Sequence, residues 1–508
     1  MKGDSAKRAL VNTIAQYTRA IINIFLSFYS TRLILEALGQ DDYGIYSLVA
    51  GVVAMLAYIT NALVTTTQRY LSFYFGKKDF DYLKKIFTNS IFIHLCFAVL
   101  ICVILLAMTN WLIYDYFVIP VGRDHAAEFV YVMAVAMLFF TVMAAPFKAL
   151  FISRENIVYI SVIEVCDGIL KFVLALYLLH SDMDKLILYA VMMTFIQVFT
   201  FIAFAIYGKY KYEECRLLIY FKDIERSCIR QLLSFAGWTL YSTGCVVGRM
   251  QGFAIVLNRF FGIIFNAAYG IAQQVTGAIL FLSLAIINAI SPQIIKAEGS
   301  NNREEMLRLS EVMSKYSFLI LSMIGIPLMI EMPEILRIWL KDIPDAAISF
   351  CRFIVLASLC DQITIGLGTA VQARGKIRGY SLVVYSIKLL TIPAMCLALY
   401  LGTDVHTTLW LYVIFEVISA LCRMVFAKYI TGLKIRHFVK NVIIPAILPT
   451  CVIALVGIAI VYSMDFPFRF LLTLFVCVVI DALVIWFFAL NTNEKTIAIQ
   501  LSRKFIKR

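Results

Sequence analysis

The sequence predicts an all-α, polytopic membrane protein of about fourteen transmembrane helices: two six-helix lobes followed by a helical hairpin. Three observations predict it. First, the 508 residues are 62% hydrophobic and only 15% charged, whereas soluble domains are about 45–50% apolar and about 25% charged. Second, apolar runs of roughly twenty residues recur along the whole chain, each long enough to cross a ~30 Å hydrocarbon core at ~1.5 Å per residue. Third, lysine and arginine collect in alternate loops.

The runs fall at 10–36, 43–65, 86–110, 126–148, 157–180 and 185–207, then 232–258, 263–292, 310–332, 346–373, 380–401 and 407–430, and finally 441–463 and 468–490. None shows the two-residue alternation of a membrane strand, which leaves helices as the spanning element. "MKGDSAKRAL" leads into the first run. That run is too long for a signal-peptide core and lacks a cleavage site, so it is expected to remain as the first span. The charges fix orientation. With the N-terminus inside, cytoplasmic segments hold 32 of the 45 basic residues, Lys148 and Arg154 after span four among them, and the outer face holds Arg123, Lys185, Arg259, Arg337, Lys341 and Arg469. This bias repeats at each successive pair of loops, as the positive-inside rule requires. Both termini are therefore expected in the cytoplasm. The net charge of +13 comes from the same asymmetry and suits an anionic inner leaflet; it does not imply nucleic-acid binding. Twelve cysteines, mostly inside spans and without a CxxC, suggest neither a disulfide framework nor a metal site.

The longest polar connection, 208–231, divides the chain between spans six and seven, and the two sides repeat. "EALGQDDYGIYSLVAG" follows span one and "NRFFGIIFNAAYGIAQ" follows span seven. Each joins a Gly to a later Tyr-Gly-Ile, and each precedes a span and a charged connector, "FGKKDFDYLKKIF" or "EGSNNREEMLRLSEV". The expected division is a first lobe over 1–207, the linker 208–231, a second lobe over 232–430, an extra hairpin over 431–490 and a basic cytoplasmic tail over 491–508.

The "LGQDDYGIYSL" loop resembles the signature of polysaccharide flippases in the multidrug/oligosaccharidyl-lipid/polysaccharide (MOP) exporter superfamily. So does "SPQIIKAEGSNNREEMLRLSEVMSKYSFLILSMIGIPLMIEMPEILRIWLKDIP" across spans eight to ten. The resemblance extends over essentially the whole chain and is strongest to Wzx-type translocases. It implies a MATE-like fold of two lobes. It also implies flipping of an undecaprenyl-pyrophosphate-linked oligosaccharide to the outer leaflet of the bacterial inner membrane, for O-antigen, capsule or exopolysaccharide synthesis. A polysaccharide polymerase and chain-length machinery are then the implied protein partners. These motifs mark the family well and the cargo poorly.

Charges left inside the spans are the candidate site residues, because intramembrane ionisable groups generally face a bundle interior or a wet cavity. Arg19 in span one and Arg249 in span seven lie near mid-depth, Arg32 and Arg259 near the outer ends. A guanidinium grips phosphate oxygens as a planar fork, so all four are candidates for the pyrophosphate. The competing reading is an ion pair or, for the outer two, a snorkelling anchor. Glu164, Asp167 and Lys171 share one face of span five at i, i+3 and i+7, with Asp167 and Lys171 spaced to pair. Asp361, next to Gln362, and Lys388 offer a comparable cluster in spans ten and eleven. Both groups read either as polar packing or as H+ or Na+ coupling sites. Glu416 and Arg423 on span twelve read as structural, and Asp481 has no evident partner. Gly244, Gly248 and Gly252 on span seven form a small-residue face for close helix packing.

An enzyme is disfavoured. No HExxH, P-loop or GxSxG occurs, and the longest outer loops, about 111–125 and 331–346, are too short for a catalytic domain. No cofactor is expected and no ATPase module is present, which leaves alternating access driven by an ion, potential or substrate gradient. The competing readings are a lipid II flippase or a cation-coupled drug exporter of the same superfamily, and, as an enzyme, a membrane glycan polymerase.

Overall fold

The computed structural model is all-helical. It describes residues 2–55, 57–117, 119–120, 122–215, 223–340, 343–344, 346–464, 466, 468–490 and 494–496, with the side chains of 2–10, 28, 40, 50–58 and 263 left aside. Lys341, Arg216, Lys222 and most of the tail, with Arg503, Lys504, Lys507 and Arg508, lie outside the described residues. Two compact units emerge, Val11–Leu240 and the chain from Tyr241 onward, and each is described by itself.

The first unit begins with α1 (Lys2–Met55), a single assigned helix broken at Gly39, where φ is 76° and ψ 175°. Only glycine adopts this conformation cheaply. It continues through α2 (Ala57–Lys77), α3 (Phe80–Ala107), α4 (Asp124–Ser153), α5 (Ile157–Leu179) and α6 (Lys185–Lys211). The centre is α4, which packs against α2, α3 and α6. Its alanines at 126, 127, 134, 144, 145 and 149 are buried, and small residues are what let membrane helices approach closely. Tyr131, fully buried among them, donates its hydroxyl to the Leu105 carbonyl at 2.9 Å.

The second unit takes up α7 (Arg226–Phe261), which begins in the first, and adds α8 (Ile263–Gly299), α9 (Arg303–Ile330), α10 (Met332–Trp339), α11 (Ala347–Gln362) and α12 (Ile365–Arg374). It ends with α13 (Arg378–Tyr400), α14 (Val405–Thr431), α15 (Ile435–Ser463) and α16 (Arg469–Ala489). Among the described residues, eleven helices are long and apolar enough to cross a membrane. The pair α11 and α12, bent by 42°, makes a twelfth if it counts as one span. The protein is therefore a multi-pass membrane protein. The expected fourteen is not reached on this measure, because α5 carries Glu164, Asp167 and Lys171 within one membrane thickness and α2 is rich in Thr, Gln and Tyr.

The internal repeat is written in the backbone. Gly262 breaks the chain between α7 and α8 at φ 85° and ψ −172°, the conformation of Gly39. Lys78 and Asn301 both take positive φ, of 61° and 59°. Each is followed by an N-cap side chain: Asp79 accepts from the Tyr82 amide and Asn302 from the Glu305 amide. Asp184 and Asp404 cap α6 and α14 in the same way.

An arginine ends the fourth span of each unit, and the two occupy matching places. Arg154 donates to Glu214, beyond α6, at 2.6 Å and stacks 3.9 Å from the Phe75 ring, just before Gly76. Arg374 donates to the Ile430 carbonyl near the end of α14 at 3.3 Å and to Glu298, just before Gly299, at 2.9 Å. One clamp uses an aromatic ring and the other a carboxylate.

The hairpin α15–α16 packs on α9 and is tied to it at both ends. Lys315 reaches Glu494 at 2.7 Å and the Ala489 carbonyl at 3.1 Å. Glu331, just past α9, accepts from Arg469 at 3.0 Å and from Thr473 at 2.7 Å.

Candidate functional site

The second unit gathers five ionisable side chains into one buried network. Glu416 and Arg423 stand seven residues apart on α14, two turns along one face. Lys388 comes from α13, Arg249 from α7, and Asp361 from the end of α11 where the chain bends into α12. The bend matters because a broken helix leaves carbonyls without their usual partners. The Asp361 carbonyl accepts from the Thr364 amide at 3.3 Å and from the Arg423 guanidinium at 3.1 Å.

The carboxylates bridge the cations. Asp361 Oδ1 accepts from Lys388 at 2.7 Å and from Arg423 at 2.8 Å. Glu416 accepts from Lys388 through Oε1 and from Arg249 through Oε2. Arg249 also lies 4.4 Å over the Tyr412 ring, a cation–π contact that grows in value once desolvated. All five line a cavity of about 290 Å³, together with Gln273, Thr276, Gln362, Tyr385 and Tyr412. Three cations face two carboxylates, so the network carries one excess positive charge when all are ionised.

The first unit holds a smaller counterpart. Glu164 on α5 accepts from Arg19 on α1 and, at 2.9 Å, from Lys148 on α4, while the Asn23 amide reaches the Glu164 carbonyl at 3.4 Å. Here two cations face one carboxylate. Asp167 pairs instead with Lys171 at 2.7 Å and accepts from Thr200 on α6 at 3.3 Å. The α5 face is thus split between two sets of partners.

Several expectations need restating. Arg19 and Arg249, both expected near mid-depth, do not occupy matching positions. Along their helices they precede the matching breaks, Gly39 and Gly262, by 20 and 13 residues, or roughly 30 and 20 Å. Arg32 and Arg259 are exposed on their helices and join neither network. Lys148, counted by sequence among the cytoplasmic loop charges, lies inside α4. Glu416 and Arg423, read from sequence as structural, line the cavity. The signal that would have found them is their i, i+7 spacing on the helix following Lys388. The glycine face of α7 is occupied in part: a Cβ on Gly248 would meet Leu389 at 3.3 Å and one on Gly252 would collide with Ile392, both on α13, whereas Gly244 faces open space.

No protein-family profile matches the chain, and no curated protein does. Solved structures do. A MATE transporter in its bent conformation superposes with a TM-score of 0.74 at 15% identity, covering 85% of this chain and 98% of that one. A MOP superfamily transporter from Pyrococcus furiosus, for which reverse polarity of the binding pocket suggests a different function, gives 0.72 at 14% identity over 84% of this chain and 96% of that one. The MATE transporter ClbM in complex with Rb+ gives 0.69 at 16% identity over 85% and 96%. The share of this chain left over is about the size of the hairpin and tail. The repeated six-helix units and these superpositions together establish that the chain has the fold of the MATE transporters of the MOP superfamily.

Proposed function

We propose that this protein is a transporter that moves a pyrophosphate-linked, lipid-anchored oligosaccharide from the cytoplasmic to the outer leaflet of a bacterial inner membrane, with both termini cytoplasmic. The observation that carries the reading is the sign of the buried charge. The 290 Å³ cavity is lined by Arg249, Lys388 and Arg423 against Asp361 and Glu416, and the first unit sets Arg19 and Lys148 against Glu164. Each of these two networks has one more cation than carboxylate, which favours an anionic headgroup.

Size restricts what enters. Pockets for drug-sized ligands run from ~300 to ~1,000 Å³, and this cavity of about 290 Å³ lies at the lower edge of that range, a size that suits the headgroup rather than the whole glycan. The bilayer keeps the lipid tail, and alternating access moves the headgroup. A polymerase and chain-length machinery are the partners this reading supplies.

A second reading is a cation-coupled drug exporter or lipid II flippase. It draws on neighbours of the same fold, a multidrug resistance MATE transporter and the Rb+ complex. In it, Glu164, Asp167 with Lys171, and Asp361 with Lys388 are the H+ or Na+ coupling groups.

Lipid-linked oligosaccharides extracted from a deletion strain decide between them. The first reading expects an undecaprenyl-pyrophosphate glycan other than lipid II to accumulate, and restoration by the wild-type chain but not by Arg249→Ala or Arg19→Ala at equal membrane abundance. An unchanged lipid-linked pool in the deletion strain would sink it.

A further inference from the structure

We propose that the cavity of the second unit is a binding site for a small monovalent inorganic anion of the chloride class, held between Arg249 and Arg423. The first ground is charge balance within the unit. An uncompensated charge in a low-dielectric interior is costly, and the network of Arg249, Lys388, Arg423, Asp361 and Glu416 leaves one positive charge over. The other ionisable groups on the membrane helices of this unit do not cancel it. Arg352 is used at the end of α9, donating to the Met329 and Ile330 carbonyls at 2.8 and 3.3 Å, and Asp481 on α16 does not line the cavity.

The second ground is hydrogen bonding. Both arginines are buried, at 6% and 2% exposure, and their terminal nitrogens are engaged by Glu416, Asp361 and Thr364. Among the described residues, however, the Nε–H of Arg249 and that of Arg423 have no partner, nor does the hydroxyl of Thr276. All three side chains line the cavity. Buried donors are almost always satisfied, and three unsatisfied donors around one excess positive charge fit an anion that accepts hydrogen bonds and carries a single negative charge. A cation is repelled there. The cavity has room for such an ion with a few waters. This inference does not depend on the identity of the cargo, since it concerns the unit's own charge balance.

The test uses the purified full-length protein in lipid nanodiscs, with its unfolding midpoint followed as sodium bromide replaces sodium gluconate at constant ionic strength. The midpoint is expected to climb with bromide and saturate, as for any ligand that binds only the native state. Chloride and nitrate should act likewise. Arg423→Lys and Arg249→Lys, which keep the charge but lose the guanidinium Nε, should each raise the half-saturating concentration at least tenfold. Arg337→Gln, at an exposed position outside the cavity, should leave it unchanged. Equal midpoints in bromide, nitrate and gluconate overturn the proposal. A bromide response unaltered in both lysine variants overturns it too. So does a response to added pyrophosphate with none to halide, which would assign the cavity to the headgroup alone.

Discussion

Glu416 is the hinge of the buried network, since among the described residues it alone engages both Arg249 and Lys388. Removing one partner of a buried ion pair typically costs about 3–5 kcal/mol, because the other is left charged and unpaired. Glu416→Ala should therefore destabilise strongly, and Arg249→Ala combined with Glu416→Ala should cost clearly less than the sum of the single changes. Unfolding of the four proteins in lipid or detergent measures this; strict additivity would show that the two side chains do not share their energy. Glu164 is about a quarter exposed, so Glu164→Gln should cost less stability. If that group couples transport to an ion, its readout is a changed dependence of transport on pH or sodium. Asp481 is the reverse case. It is fully buried, and among the described residues neither carboxylate oxygen has a partner. Asp481→Asn removes the charge without changing shape, and should raise the unfolding midpoint.

At the scale of elements, the repeat explains which contacts hold the helix ends. The clamps at Arg154 and Arg374 each join the end of a fourth span to the end of the second span and to the end of the sixth. Arg374→Ala should free buried Glu298 and loosen the 299–303 connector, seen as faster amide exchange there. Arg303 also holds Glu298, at 3.0 Å, so protection should fall only in part. The N-cap of α6 makes a pH prediction. Burial alone would push the Asp184 carboxyl up, but hydrogen bonds from Arg123 and from the Ile187 and Leu186 amides outweigh it and hold the pKa below the ordinary aspartate range. A carboxylate whose pKa is lowered by folding stabilises the fold above its unfolded value, and that contribution disappears as pH falls through the native value. Acid should loosen the start of α6 at this step, and Asp184→Asn should remove the step from the acid profile.

For the molecule as a whole, the open matter is what the hairpin contributes beyond the two units. Lys315, near the middle of α9, and Glu331, just past its end, are both buried, and both take their ionic partners from the hairpin or the segment just beyond it. Deleting 435–508 leaves both charges without those partners, so the shortened chain should yield little folded protein. Adding Lys315→Met and Glu331→Gln to the deletion should restore part of it, as judged by monodisperse protein after extraction. Equal yields with and without the two substitutions would mean the hairpin stabilises through apolar contact alone.

The sequence by itself determined the class and the repeat, because these depend on local quantities. Apolar runs report the bilayer thickness, and Gly39 and Gly262 stand where the backbone needs a conformation that other residues resist. It also marked Arg19, Arg249, Glu164, Asp361 and Lys388 as unusual, since charge inside a span is costly wherever it sits. What it left open was company. Lys148 looked like a loop charge because hydropathy blurs a span's end by a turn, yet α4 carries it to Glu164. Glu416 and Arg423 read as structural, yet α14 turns them toward Lys388, Asp361 and Arg249 on three other helices. Only the packing of helices distant in sequence decided which charges share a cavity, and therefore that its sign is positive.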